Sequence, residues 1–219
     1  MRFGQPKQLI EVAGRPLVAW SLALFDALPE IEDLVIATEP EHIPAMEALA
    51  RGHAPRLATR IVPGGVTRQG STRNALHAVP KECDAVFIHD GARPLVTAAD
   101  IRAGMAAVAP GRGAVLATPV VDTIKLVPRG AHTVERTLDR SELWAAQTPQ
   151  FAMLADLRRA HEAAERDGVE ATDDVALMER IDLTVVVVPA GAENFKVTRP
   201  SDRDLAETIL LERAALGKS

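Results

Sequence analysis

The sequence predicts an α/β protein of three layers, with helices on both faces of one mostly parallel sheet. Short β-rich apolar runs alternate with stretches of helical spacing, the pattern of crossover units. The run Val185-Val186-Val187-Val188 is continuously apolar rather than alternating, which a strand covered on both faces requires. The chain has 219 residues, 47% of them hydrophobic, enough for one substantial core, and no repeat or Gly/Ser linker divides it. A single domain over 1–219 is therefore expected, with a β-arm at about 120–145.

Strands are expected at 33–38, 60–63, 85–89, 113–119 and 183–189, where β-branched residues concentrate. Helical spacing falls at 16–28, 40–50, 71–79, 98–108, 153–166, 173–180 and 202–215. Three of these helices carry start signals: Thr97 with Asp100, Thr172 ahead of two aspartates, and Ser201 with Asp204. The pattern changes after Val120. Two further strands, 122–127 and 133–138, flank the turn-like Pro128-Arg129-Gly130-Ala131 and read as a projecting arm.

Composition excludes several classes of function. The lone cysteine, Cys83, forms no internal disulfide, and no apolar run approaches the roughly 18 residues of a membrane span. The start, MRFGQPKQ, lacks the apolar stretch of a secretory signal, so a reduced, cytoplasmic setting is expected. A net charge of -5, 3% aromatic residues and no tyrosine argue against a nucleic-acid surface. Anionic ligands must be held by local basic groups.

Five clusters concentrate the chemistry. Gly4-Gln5-Pro6-Lys7-Gln8 places a lysine near a helix start, where ammonium charge and free amides suit a phosphate; alone, it also reads as a surface lysine. The stretch from Pro63 to Ser71 has paired glycines, Gly64 and Gly65, that let backbone approach a base or phosphate, with Arg68 and Ser71 as donors. An ordinary strand-to-helix loop is the other reading. Next, His89-Asp90-Gly91-Ala92-Arg93-Pro94 emerges at a strand end, where ligands of open α/β sheets collect. Asp90 is the first candidate for a magnesium-nucleotide complex, and an Asp90–Arg93 turn bridge is the alternative. His89 reads as a packing residue, since no second histidine or cysteine stands at metal-ligand spacing. The fourth cluster lies in and beyond the arm, from Asp122-Thr123-Ile124-Lys125 through Asp139-Arg140 to Trp144, Thr148 and Phe151. Trp144 and Phe151 read as anchors against the sheet or a partner. In the fifth, Lys196 and Thr198 alternate on one face of a strand and point into one cleft.

In this order the clusters resemble the 2-C-methyl-D-erythritol 4-phosphate cytidylyltransferases. The resemblance rests on PKQ at 6–8, GG..R..S at 64–71, HD.ARP at 89–94, DT.K at 122–125, DR..LW at 139–144, TPQF at 148–151 and KVTRP.D at 196–202. It implies a Rossmann-like nucleotidyltransferase sheet, a β-arm exchanged in a homodimer, and magnesium-dependent attack of the polyol phosphate on the α-phosphorus of CTP. By that resemblance Lys7 stabilises the five-coordinate phosphorus, Gly65 and Ser71 lie at the cytidine, and Asp90 lies near the ribose and the metal. Arg140 from the partner's arm and Lys196 hold the methylerythritol phosphate, with Thr123 and Thr148 as further matches. The same motifs bring Gly64, Arg68, Arg93 and Thr198 into the substrate-binding set.

The match departs in two places. Family members carry an apolar strand and a glycine-rich loop ahead of the PKQ lysine, whereas Met1 stands six residues before Lys7. A first strand and loop missing from the sequence, through a misplaced start or a truncation, are therefore expected, with harm to CTP binding and folding. Val66 also stands where many relatives are acidic. Rival readings are a cytidylyltransferase for another polyol phosphate, such as ribitol 5-phosphate, and a catalytically silent nucleotide-binding dimer.

Overall fold

A computed structural model describes residues 6–217, so Gly4 and Gln5 of the first cluster lie outside the described residues. The first described element is a 3-10 turn at Lys7–Leu9, followed by a tight hairpin, β1 (Glu11–Val12) and β2 (Arg15–Pro16), feeding helix α1 (Leu17–Asp26). Ala13 and Gly14 turn this hairpin with positive φ of 49° and 77°, a conformation cheap for glycine and costly for alanine. Ala13 is held there by a hydrogen bond that its backbone N–H donates to Glu207 Oε1 at 2.9 Å. There follow β3 (Asp33–Thr38), α2 (Ile43–His53), β4 (Ala58–Pro63), α3 (Arg68–Ala78), β5 (Ala85–Ile88), α4 (Ala98–Ala107) and β6 (Arg112–Pro119). The arm contributes β7 (Lys125–Leu126) and β8 (Arg136–Thr137), and β9 (Trp144–Met153), α5 (Leu154–Arg166), α6 (Asp174–Arg180), β10 (Thr184–Pro189) and α7 (Pro200–Ala215) complete the chain.

The α/β expectation holds, with a mixed strand arrangement. β3 and β4 form a parallel pair, and a second sheet has the order β10-β6-β9-β5. β10 and β6 run parallel, but β9 runs antiparallel to both β6 and β5. Sequence patterning grouped the Thr148–Phe151 region with the arm cluster and assigned it no strand. Pro149 is accommodated where the β6–β9 register shifts between Val115 and Ala117, a bulge that releases local backbone pairing. Thr148 and Phe151 therefore belong to a central strand.

Helices α1, α2 and α4 cover one face through Leu22, Phe25, Met46 and Ile101, while α3, α5 and α6 cover the other through Leu76, Leu157 and Met178. The strands serve both because successive side chains alternate: Phe87 and Phe151 pack with the first layer, Val86 and Ala152 with the second. Covering of the valine run is incomplete. β10 is an edge strand, and Val187 is 43% exposed. A third cluster packs α7 against the hairpin and the segment after β5 through Val12, Leu17, Leu95, Val197 and Ala206.

The helix starts show how local chemistry sets boundaries. Thr97 and Asp100 form the expected capping box, with reciprocal bonds of 3.1 and 3.0 Å. Helix α6 is capped by Asp173, not Thr172, because the Asp173 carboxylate is the group that accepts from Ala176 N, at 3.1 Å. Helix α7 starts earlier than expected, at Pro200, whose fixed φ suits the first turn. Asp202 rather than Ser201 closes that end, accepting from the amides of Thr198 and Arg199 at 2.8 Å each. The arm is a short ladder pairing Lys125 with Thr137 and Leu126 with Arg136, shorter than the expected strands. Val121, 79% exposed, Val127 and Val134 leave apolar surface on it. Among the described residues no helix is long and apolar enough to cross a membrane.

Candidate active site

A cavity of about 570 Å³ opens between β3 and β5, two strands belonging to separate sheets. That volume lies in the range of small-ligand sites. Leu34 to Thr38 form one wall, Phe87 to Gly91 the other, and Gly64, Gly65, Arg68 and Ser71 the rim. The glycine loop follows directly from the β3–β4 ladder, since Gly64 N donates to Thr38 O at 2.7 Å. A Cβ at Gly65 would lie 2.5 Å from the Gly70 carbonyl carbon, so only glycine lets this loop fold onto the start of α3. Ser71 Oγ accepts from Gly65 N at 3.0 Å, and Thr67 caps the helix through Gly70 N at 3.1 Å.

Asp90 sits at the centre of the charges. Its Oδ2 accepts from Lys196 Nζ at 2.6 Å and its Oδ1 from Arg68 Nε at 3.3 Å. Burial alone would raise the Asp90 carboxyl, but Lys196 and then Arg68 outweigh it and hold it down at about 2. Lys7 shares this field: burial and repulsion from Lys196 lower its ammonium, while Asp90 opposes both. Arg93 does not bridge to Asp90 through its side chain. Its amide closes the turn on Asp90 O at 3.0 Å, and its Nη1 donates to Asn194 O at 2.7 Å.

Lys196 reaches Asp90 from an extended loop, not from a strand. Val197 N donates to Ala92 O at 2.8 Å, and Asn194 Nδ2 bonds Gln147 Oε1 at 2.8 Å and Thr148 O at 3.0 Å. The expected convergence of Lys196 and Thr198 does not occur, because the Thr198 hydroxyl donates to Asp202 at 2.8 Å. Thr148 is drawn into the site by the bulged strand, and its Oγ1 accepts from Asp90 N at 3.0 Å. The structure thus brings together Lys7, Arg68, Asp90, Thr148 and Lys196, with Arg93 beneath and Gly64, Gly65 and Ser71 at the rim. Arg140 and Thr123 stand apart on the exposed arm, where Arg140 Nη1 donates to Val121 O at 2.8 Å.

His89 packs under the site, with its ring 5.5 Å from that of Phe25 and edge-on to it. Burial pushes its imidazole down to about 4, against the opposing bond to the Arg93 carbonyl. An ordinary histidine near 6.5 in the unfolded chain takes up its proton first as the pH falls. This contribution to stability is therefore complete above about pH 6.5 and is lost progressively toward pH 4. The melting temperature is expected to drop across that window, and His89→Gln to flatten the drop; an equally steep fall in the variant would exclude His89 as its source.

The chain as a whole is similar to known proteins. The family model for 2-C-methyl-D-erythritol 4-phosphate cytidylyltransferase matches residues 1–212. The chain belongs to this family. A relative of that name from Thermosynechococcus vestitus is 43% identical over 207 residues, 94% of this chain and 88% of the relative. Another, from Halalkalibacterium halodurans, is 42% identical over 213 residues, 97% of this chain and 92% of the relative. The crystal structure of the Thermus thermophilus cytidylyltransferase superposes with a TM-score of 0.79 at 33% identity, covering 94% of each chain. Membership makes the chain a nucleotidyltransferase enzyme.

Sequence reasoning missed the polar groups behind the site: Gln150, His161 and Asp174. Gln150 stood within a quoted motif, but nothing in the spacing marked His161. The described residues contain no group of three His, Cys, Asp or Glu side chains able to hold a metal. Asp90 alone fits a divalent cation that arrives with its own phosphate and water ligands, the usual manner of magnesium.

Proposed function

We propose that the cleft binds CTP and 2-C-methyl-D-erythritol 4-phosphate and joins them as 4-diphosphocytidyl-2-C-methyl-D-erythritol, releasing pyrophosphate. The convergence of two lysines and an arginine about one ionised carboxylate, beside a glycine-lined cavity, carries this reading. A phosphate oxygen of the polyol attacks the α-phosphorus in line, forming one P–O bond as the bond to the bridging oxygen of pyrophosphate breaks. Lys7 and Lys196 offset the charge on the phosphoryl oxygens, and Arg68 and the loop amides orient the nucleotide. Positioning and charge neutralisation suffice for such a step, with no proton-abstracting base. Magnesium, held through Asp90, would neutralise triphosphate charge.

Arg140 completes the site from the arm of a second copy. The exposed valines of the arm and the exposed Trp144 support burial against a partner. Pyrophosphate release is measured with methylerythritol phosphate and with ribitol 5-phosphate; a clear preference for the latter would reassign the acceptor. Arg140→Ala and Lys196→Ala are each expected to be nearly inactive. Mixing them should recover about a quarter of wild-type activity, because half of the dimers then hold one intact site. No recovery would mean that the arm serves its own subunit.

A further inference from the structure

Behind Arg68 runs a second line of charge that faces no cavity. Asp174, 1% exposed, accepts from Arg68 Nη1 through Oδ2 at 2.8 Å and lies 2.9 Å from His161 Nε2 through Oδ1. A carboxylate only accepts hydrogen bonds, so Nε2 carries the proton in this pair. His161 is 2% exposed, and its Nδ1 has no partner among the described residues. Asp174 is itself fixed, since its amide donates to Gln150 Oε1 on β9 at 2.9 Å. Burying an ionised carboxylate is costly unless it is paired and fully bonded. Here both oxygens have partners, and Arg68 supplies the cation.

We infer that Asp174, backed by His161, is a positioning residue for nucleotide recognition: it fixes the Arg68 guanidinium against Asp90. An arginine held by one carboxylate can pivot, whereas one held on Nε by Asp90 and on Nη1 by Asp174 has a set plane. Its Nη2 is itself buried and has no protein partner among the described residues, so the clamp leaves one guanidinium donor unspent beside the cleft that Arg68 lines. Asp174 touches no substrate. It acts through Arg68, and the inference rests on the reading of this cleft as the CTP site.

The test is a cycle of Asp174→Asn and Arg68→Ala with the KM for each substrate as readout. Asn keeps the size of Asp174 and removes its charge. Loss of a supporting group behind a ligand-holding residue commonly costs about 10- to 100-fold, so the KM for CTP should rise by that order with little change for the polyol phosphate. Asp174→Glu should recover part of the loss, and in the Arg68→Ala background Asp174→Asn should add nothing. Equal effects in both backgrounds, or a lowered melting temperature with the KM for CTP unchanged, would overturn the inference. If Asp174→Asn does not fold, His161→Gln decides: a raised KM for CTP supports the arrangement and an unchanged one sinks it. Absence of pyrophosphate release by the wild-type chain would sink the assigned reaction and this inference together, whereas an active wild type matched by Asp174→Asn sinks the inference alone.

Discussion

Lys196→Ala lowers kcat/KM for cytidylyl transfer by about a hundred- to a thousandfold, the usual loss when one aimed charge contact disappears from a transition state. The reason lies in its delivery. Asn194 and Val197 bind the loop on either side of Lys196 to Thr148 O and Ala92 O at 3.0 and 2.8 Å, so the ammonium reaches the cleft from a fixed backbone. Preorganised charge of this kind needs no rearrangement as the phosphorus gains its fifth ligand. The variant also removes the first partner of Asp90, whose carboxyl then rises from its depressed value with Arg68 as its remaining ionic contact. The fold should persist, because Lys196 is one-third exposed and its chain packs into no core cluster. Steady-state kinetics and a melting curve check both halves; turnover within a few fold of the wild type would remove Lys196 from the site.

Phe151→Ala is expected to destabilise the protein by about 3–5 kcal/mol, the range for emptying a buried aromatic site. For a chain of this length that corresponds to a fall in melting temperature of roughly 6–20 °C. Phe151 is fully enclosed and stands where β9 faces Ala114 of β6 and Phe87 of β5, its ring centroid 5.5 Å from that of Phe87. Helix α4 approaches so closely that a Cβ on Gly104 would fall 2.1 Å from the ring. The space left by the ring is thus bounded on one side by the backbone of α4 at Gly104, which side-chain repacking does not move. Thermal unfolding measures the effect, and a change of less than about 2 °C, at most about 1 kcal/mol, would mean that the core relaxes around the loss.

Much of this architecture was legible in the residues. Strand β3 has the bounds that its β-branched run suggests, and the Thr97–Asp100 box marks α4 because capping is local chemistry. Asp90 was legible for a topological reason, since a carboxylate just past a strand end of an open sheet faces the ligand side. What local reasoning could not supply was tertiary. The central strand β9 was not legible as a strand, because what holds it is its pairing with β6, more than thirty residues upstream, with the irregular residues 147–149 within β9 itself. Asp174 looked like a first-turn helix carboxylate, and only the fold reveals its second task on Arg68, 106 residues away. Thr198, placed in the cleft by alternation, is drawn off by Asp202, a competition between two local hydrogen-bonding partners that period alone does not weigh.

The separation of the two sheets has a dynamic consequence. β3 and β4 share no backbone ladder with the four-stranded sheet, so side-chain packing and side-chain hydrogen bonds such as Asn74 to Pro63 O tie the pair to the rest. Elements connected in this way open as their own cooperative units, at a lower free energy than global unfolding. The glycine loop travels with β4 and Asp90 with β5, so the cleft is split across that seam. A nucleotide seated there would act as a further rivet across a seam that Arg68 already spans through Asp90, and part of its binding energy would be spent in stilling it.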